Sequence, residues 1–333
     1  MTGLYLRQLW PVLASAALAV GLAACTSGSA ATNAASSNGP ELTNITLGVL
    51  PDGDAVTAQI AIDKGFFKQE GLNVKLVVEK TTNNATQAFL SHTMDFSLET
   101  YVGMFQQENS VPGLNLRVVA DNDQGNADLN VLMVPKNSTI TSLSQLRGKK
   151  VGVPAPGFNL GALSMDVLLQ PYGMSTKSFS TVVVPFPNDQ EALSTGEIDV
   201  AYTTEPFVTI MEENGARILS DTLSGPLAGL PVTCWATDEA FASKYPKTVA
   251  AFQAAMEDAS RVAATDTPYV RQELPKFVKT MSPKLASVIT LGAYNDTLSL
   301  ARMERVANIM IRLGELPANF DVQAMYDPPS ASS

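Results

Sequence analysis

Five carboxylates, Asp52, Asp54, Glu99, Asp123 and Glu205, stand at or just past the ends of short β-rich runs, and those stretches hold no lysine or arginine. Carboxylates so placed accept hydrogen bonds from an amine or a protonated ring nitrogen, with charge assistance worth roughly 1.5–3 kcal/mol per bond. Glu99, and Glu205 ahead of Pro206, also read as helix-start charges favoured by the dipole. Neutral groups accompany them: Thr82 and Asn83, Thr100 after Glu99, Gln124 in Asn122-Asp123-Gln124-Gly125-Asn126, and Thr204 before Glu205. These either contact a ligand or cap helices. Pro156-Gly157-Phe158-Asn159 precedes a helical pattern, and free amides at a helix start attract an anionic or electron-rich group. The plainer reading is a turn with Asn159 as cap. Phe158 and Trp235 are either stacking faces or core residues. Lys80 lies just before the second of these loops. Five carboxylates oppose an anion, so a neutral or cationic nitrogenous solute fits better than a sulfonate or nitrate.

Covalent and metal chemistry have little to work with. The chain has one histidine, His92, and two cysteines, Cys25 and Cys234. A catalytic triad would have to use His92, which sits in the polar turn Ser91-His92-Thr93. A His- or Cys-based metal site would need many added carboxylates. There is no G-x-S-x-G elbow and no G-x-x-x-x-G-K-[ST] loop. The expectation is a binding protein with no cofactor and no bound metal, not an enzyme.

The elements that would position these residues alternate. Residues 45–50, 73–79, 94–98 and 116–120 read as strands, with helices over 55–69, 84–90 and from 101. The pattern restarts with strands over 131–134, 150–153, 180–184, 198–201 and 217–219 and helices near 159–170, 189–193 and 206–213. A strand over 231–236 returns to the first half, and 238–316 is nearly all helical. This order predicts α/β lobes with mostly parallel sheets and helices on both faces. Two extended crossings make a hinge, with a cleft beyond the carboxyl ends of the strands. The expected divisions are a first lobe from 42–128 and 232–333 and a second from 129–231.

The N-terminus reads as an export signal. Arg7 precedes an apolar run over 11–22, too short for a span of ~20 residues. Leu22-Ala23-Ala24-Cys25 resembles a bacterial lipobox, which would make 1–24 a leader and Cys25 the lipidated residue. Several acyl chains would hold the protein stably at the membrane. Residues 25–41 have the composition of a flexible tether. With 333 residues and a net charge of −10, the chain is large enough for two lobes and is repelled by phosphate backbones, so nucleic-acid binding is disfavoured.

Three stretches carry a family likeness. Ala61-Ile62-Asp63-Lys64-Gly65-Phe66-Phe67-Lys68-Gln69-Glu70-Gly71-Leu72 resembles the A-x-x-K-G-x-F-x-x-E-G-L stretch of substrate-binding proteins of ABC importers, the group that includes sulfonate, nitrate, taurine and thiamine-precursor binders. Leu143-Ser144-Gln145-Leu146-Arg147-Gly148-Lys149-Lys150-Val151-Gly152-Val153-Pro154 resembles S-L-x-D-L-K-G-K-K-V-x-V-P, with Gln145 in place of the usual acid. Residues 192–201 resemble A-L-x-x-G-x-I-D-A-A, and Thr204-Glu205-Pro206 the x-E-P that follows. The likeness runs over about residues 45–320. It implies the type II periplasmic-binding-protein-like fold, a monomer outside the cytoplasm, a small solute, and an ABC permease with its separate ATPase as partners. It also implies a ligand contact at the Pro156–Asn159 turn. A thiamine pyrimidine precursor is the expected solute, and a sulfonate, nitrate or taurine the alternative within the group. Fungal thiamine-precursor synthases are similar in fold and use a histidine and a cysteine cluster; here Cys234 has no companion cysteine. An adhesion or sensor role would use the same fold.

Overall fold

The computed structural model describes residues 39–49, 53–78, 87–157, 159–278 and 281–329. The expected leader over 1–24, Cys25 and most of the expected tether, and Asp52, Thr82, Asn83 and Phe158 lie outside the described residues. Alternation of apolar side chains makes β1 (Asn44–Val49), which buries Ile45, Leu47 and Val49. β1 pairs in parallel with β2 (Asn73–Val78) and β3 (Phe96–Thr100). β10 (Pro231–Asp238) runs antiparallel between β3 and β4 (Leu116–Gln124), and β11 (Ala293–Tyr294) closes the edge in the order β11-β4-β10-β3-β1-β2.

The second sheet holds β5 (Asn130–Pro135), β6 (Lys150–Val153), β7 (Ser180–Val183), β8 (Val200–Thr204) and β9 (Ala216–Asp221), in the order β7-β6-β8-β5-β9. The two sheets repeat one plan, β2-β1-β3-β10-β4 against β7-β6-β8-β5-β9. Each has three parallel strands, then a strand that has just crossed from the other sheet. Both crossing strands, β5 and β10, run antiparallel to their neighbours. The mostly parallel sheets expected from the β-α-β order are therefore mixed, because a strand entering from the far sheet runs in the opposite sense.

Helices cover the sheets. α1 (Val56–Asp63) and α2 (Phe66–Gln69) replace the single helix expected over 55–69. Gly65, at φ 76°, breaks it in a backbone state that a side chain would disfavour, and the turn swings Phe67 into the core. α3 (Tyr101–Ser110) follows β3, and α4 (Asn159–Leu169) follows β6. α5 (Asp189–Thr195) and α6 (Phe207–Glu213) flank β8. The C-terminal part supplies α7 (Glu239–Lys244), α8 (Pro246–Thr265), α9 (Thr267–Phe277), α10 (Pro283–Ala286) and α11 (Leu300–Leu313).

On one face of the six-stranded sheet Phe96 stacks on Phe252 of α8 at 3.9 Å, with Trp235 edge-on to Phe252. On the other face Tyr101, Met104 and Phe105 of α3 meet Met303, Val306 and Met310 of α11. Each such fully buried side chain contributes about 1.5–3 kcal/mol. Ser142 and Gln145 form a reciprocal capping box on the short turn Leu143–Leu146, so a carboxamide does there what the family's acid would do.

Candidate ligand cleft

The carboxyl ends of β1, β3, β6 and β8 face one another between the sheets, and the residues that could hold a solute gather there. Thr100 ends β3, and its Oγ1 accepts from the Gly103 amide at 3.1 Å, capping α3. From the second sheet, Gly157 turns at φ 78° and Asn159 opens α4. Asn159 Nδ2 lies 3.0 Å from where a Cβ on Gly103 would stand. The starts of α3 and α4 thus approach across the cleft, and the absence of a side chain at Gly103 makes the room. Leu160 and Leu163 of α4 complete the contact by packing into the apolar cluster of α3 and α11.

A second group lies where β1 and β8 end. A recess of about 60 Å³ is lined by Asp54, Thr204, Glu205, Thr290, Gly292 and Tyr294, among others. Among the described residues no lysine or arginine lines it. Burial, helped by Asp54, pushes the Tyr202 phenol up from its ordinary value. Burial, then Asp123 and Asp54, does the same to Tyr294, against the opposing charge of Arg271. Asp54 thus acts on both tyrosines. Glu205 is tied down within the recess: its oxygens accept from Thr209 N at 3.1 Å, Thr209 Oγ1 at 2.8 Å and Thr290 N at 2.9 Å. Burial holds its carboxyl above the usual range despite these donors. Thr204 Oγ1 donates to the Leu129 carbonyl at 3.1 Å and accepts from Asn130 Nδ2 at 3.2 Å.

Three expected site residues lie elsewhere. Glu99 is not in a loop but inside β3, opposite Cys234, and is 2% exposed. Its Oε1 accepts from Ser97 Oγ at 3.0 Å. Gln124 is the last residue of β4, not part of a loop, and its Oε1 accepts from Arg302 Nη1 at 2.8 Å. Trp235 is wholly buried against Phe252 and presents no face to the cleft. β4 runs four residues past its expected end because its polar tail finds partners. Asp121 accepts from Tyr101 Oη at 3.1 Å and Arg302 Nε at 2.9 Å. Asn122 accepts from Thr57 Oγ1 at 2.6 Å and donates to the Asp54 carbonyl at 2.9 Å. Thr233 donates through N and Oγ1 to Asp123 Oδ1. This strand end is what places Asp54.

Tyr202, Tyr294, Thr290 and Gly103 belong to the cleft but carry no motif. His92 is remote. It precedes β3, at the opposite end of the sheet from Thr100, with Nδ1 3.9 Å from Asp238 and its side chain 74% exposed. Cys234 is buried, its Sγ 3.8 Å from Met104 Sδ. Among the described residues no group of His, Cys, Asp and Glu could hold a metal ion, and no helix is long and apolar enough to cross a membrane.

The sequence matches the family model described as NMT1/THI5 like over residues 55–268. A Haemophilus influenzae protein named as a thiamine biosynthesis protein is 29% identical over 152 residues. That match spans 45% of the chain and 45% of the relative, less than half of its length. A 4-amino-5-hydroxymethyl-2-methylpyrimidine phosphate synthase of Uromyces fabae is 22% identical over 279 residues, 78% of this chain and 80% of that one. The periplasmic aliphatic sulphonate binding protein SsuA of Escherichia coli superposes with a TM-score of 0.71 at 14% identity, over 88% of this chain and 94% of that one. At that identity the likeness is one of fold, the two-lobed periplasmic-binding-protein fold.

Proposed function

Because the chain belongs to the NMT1/THI5-like family, we propose that it is the solute-binding component of an ABC importer, closing two lobes on a small nitrogen-bearing molecule outside the cytoplasm and passing it to a permease and its ATPase. One observation carries the choice of solute. Asp54, Glu205 and Tyr294 line one recess, Tyr202 lies within electrostatic reach of Asp54, and among the described residues no lysine or arginine lines that recess. Such a place suits an amine or an aminopyrimidine, which donates to carboxylates. It opposes a sulfonate or nitrate by charge. The names of the two sequence relatives, which refer to thiamine biosynthesis and to a hydroxymethylpyrimidine phosphate, lean the same way. In this reading Thr100, Gly157, Asn159 and Thr204 form the polar walls, and Cys25 carries the lipid that keeps the protein at the membrane.

The experiment is isothermal titration of the purified protein with 4-amino-5-hydroxymethyl-2-methylpyrimidine and, separately, with an alkanesulfonate. Saturable heat with the pyrimidine alone is expected. Tight sulfonate binding without pyrimidine binding would overturn the choice of solute.

The synthase relative from Uromyces favours a second reading, an enzyme of pyrimidine synthesis. Against it stands the position of His92 at the wrong end of the sheet, far in the topology from Thr100 and Asp54. Turnover of the pyrimidine ligand by the purified protein, lost in His92→Ala, would revive it.

A further inference from the structure

Two arginines one turn apart on α11 grip both segments that join the sheets. Arg302 donates through Nη1 to Gln124 Oε1 at 2.8 Å, where the first crossing begins, and through Nε to Asp121 at 2.9 Å. Arg305 donates to three carbonyls near the end of the second crossing: Gly229 at 3.1 Å, Pro226 at 3.0 Å and Ala228 at 2.9 Å. The crossings are also tied to each other, since Gly125 N donates to the Leu230 carbonyl at 2.9 Å. A Cβ on Gly125 would stand 2.6 Å from Leu223 Cδ1, so the two segments touch there with no spare room.

We propose that α11 is the clamp of the hinge, with Arg302 and Arg305 as positioning residues that set how far the lobes stand apart at rest. Every bond in the grip lies on the first-sheet side of the crossings. Past it, residues 126–128 are exposed, and Asp128 stands at φ 61°, a backbone state uncommon for a side-chain-bearing residue. Thr222 already belongs to the second sheet, donating through N and Oγ1 to the Asn130 carbonyl at 2.9 and 2.7 Å. Bending is therefore confined to a few residues between a braced end and a paired end. A hinge held in this way narrows the range of open states. The solute then meets a cleft close to its closed geometry, and less of its binding energy goes into moving the lobes. Neither arginine lines the cleft recess, and Arg305 bonds only to carbonyls of the crossing, so its effect on affinity runs through lobe position.

The inference rests on the two-lobe closing function proposed above, but its test needs no solute. Spin labels at Lys75→Cys on β2 and Lys177→Cys beside β7, both exposed positions, report the distance between lobes by pulsed electron resonance, with the parent chain labelled in parallel as background. Arg305→Met keeps the apolar stem and removes all three carbonyl contacts. It should broaden the distance distribution and move its mean by several ångström, with the unfolding midpoint little changed. Arg305→Lys, which keeps a donor, should recover part of the narrow distribution. Arg302→Lys, chosen so that Asp121 keeps a cation, should broaden it less than Arg305→Met. A distribution in Arg305→Met that coincides with the parent's would overturn the clamp, whether or not the pyrimidine binds. If the pyrimidine binds, its affinity should fall in Arg305→Met with unchanged stoichiometry; failure of the solute reading alone would leave the distance result standing.

Discussion

Glu205, at the end of β8 in the second sheet, accepts the backbone N–H of Thr290 at 2.9 Å from a segment packed on the first sheet. Two contacts from Thr209 fix the carboxylate for that task. The bond joins the lobes at the edge of the recess and acts as a latch.

Glu205→Ala should lose three bonds to a half-buried carboxylate. A bond to a charged group is worth roughly 1.5–3 kcal/mol, and the stranded Thr290 amide adds to the loss, so destabilisation by about 2–4 kcal/mol in urea titration is expected. Glu205→Gln retains an acceptor for Thr290 and should cost under about 1 kcal/mol. An alanine variant as stable as the parent would remove the latch.

Asp189 begins α5 and is wholly buried, with the Thr203 hydroxyl beside its carboxyl. Burial pushes its carboxyl up to about 7, with the nearby Thr203 hydroxyl opposing the rise. An unfolded chain releases this proton near pH 4, while the folded chain holds it to about pH 7. The unfolded state thus binds fewer protons across that window, and stability falls as pH rises through it. Asp189→Asn should stabilise the protein at pH 8 by something on the order of 3 kcal/mol, the gain vanishing below pH 4. Parallel pH–stability curves for parent and variant would contradict the buried, neutral carboxyl.

Gly103→Ala brings opposed effects in its own helix. The added methyl crowds the Thr100 cap at 2.7 Å; a lost cap costs about 1 kcal/mol and alanine returns about as much in helix propensity. Net stability should change little. The same methyl meets Asn159 at 3.0 Å across the cleft, so solute affinity should fall severalfold. Asn159→Ser placed in the Gly103→Ala background makes room and should recover part of that loss. Additive effects in the double variant, read by titration, would mean that the two helix starts do not meet on closure.

Asp54→Asn removes one carboxylate from beside Tyr202 and Tyr294. A charge-assisted bond to an amine is worth roughly 1.5–3 kcal/mol, which converts to a 10- to 150-fold loss in pyrimidine affinity. Affinity for a neutral analogue lacking the amine should change far less. Equal losses for both would point to a structural role for the Asp54 carboxylate rather than a contact with the amine.

Local signals in the sequence led correctly wherever local forces decide. β1, β2 and β6 appear within a residue or two of their apolar runs; Gly157 and Asn159 come after β6 as expected, while Thr100 and Thr204, expected in loops, are the last residues of β3 and β8. What was hidden depends on distant partners. Asp121-Asn122-Asp123 looks like the start of a loop, yet Arg302, Thr57 and Thr233 satisfy it, so the strand continues. Glu99 looks like a loop acid for the same reason. Trp235 could not be told from a stacking face until Phe252 was seen against it. Arg302 and Arg305 lie about 180 and 80 residues from the groups they hold, and no spacing rule links them. Tyr202 and Tyr294 come from different sheets and come near the same carboxylate, Asp54, only after folding.

Native mass spectrometry of the gently purified protein bears most directly on a cleft built for a nitrogen-bearing solute. A non-covalent adduct that fragments to an aminopyrimidine, and that is lost in Asp54→Asn, is the predicted spectrum. A sulfonate adduct, or a pyrimidine adduct indifferent to Asp54, would contradict it.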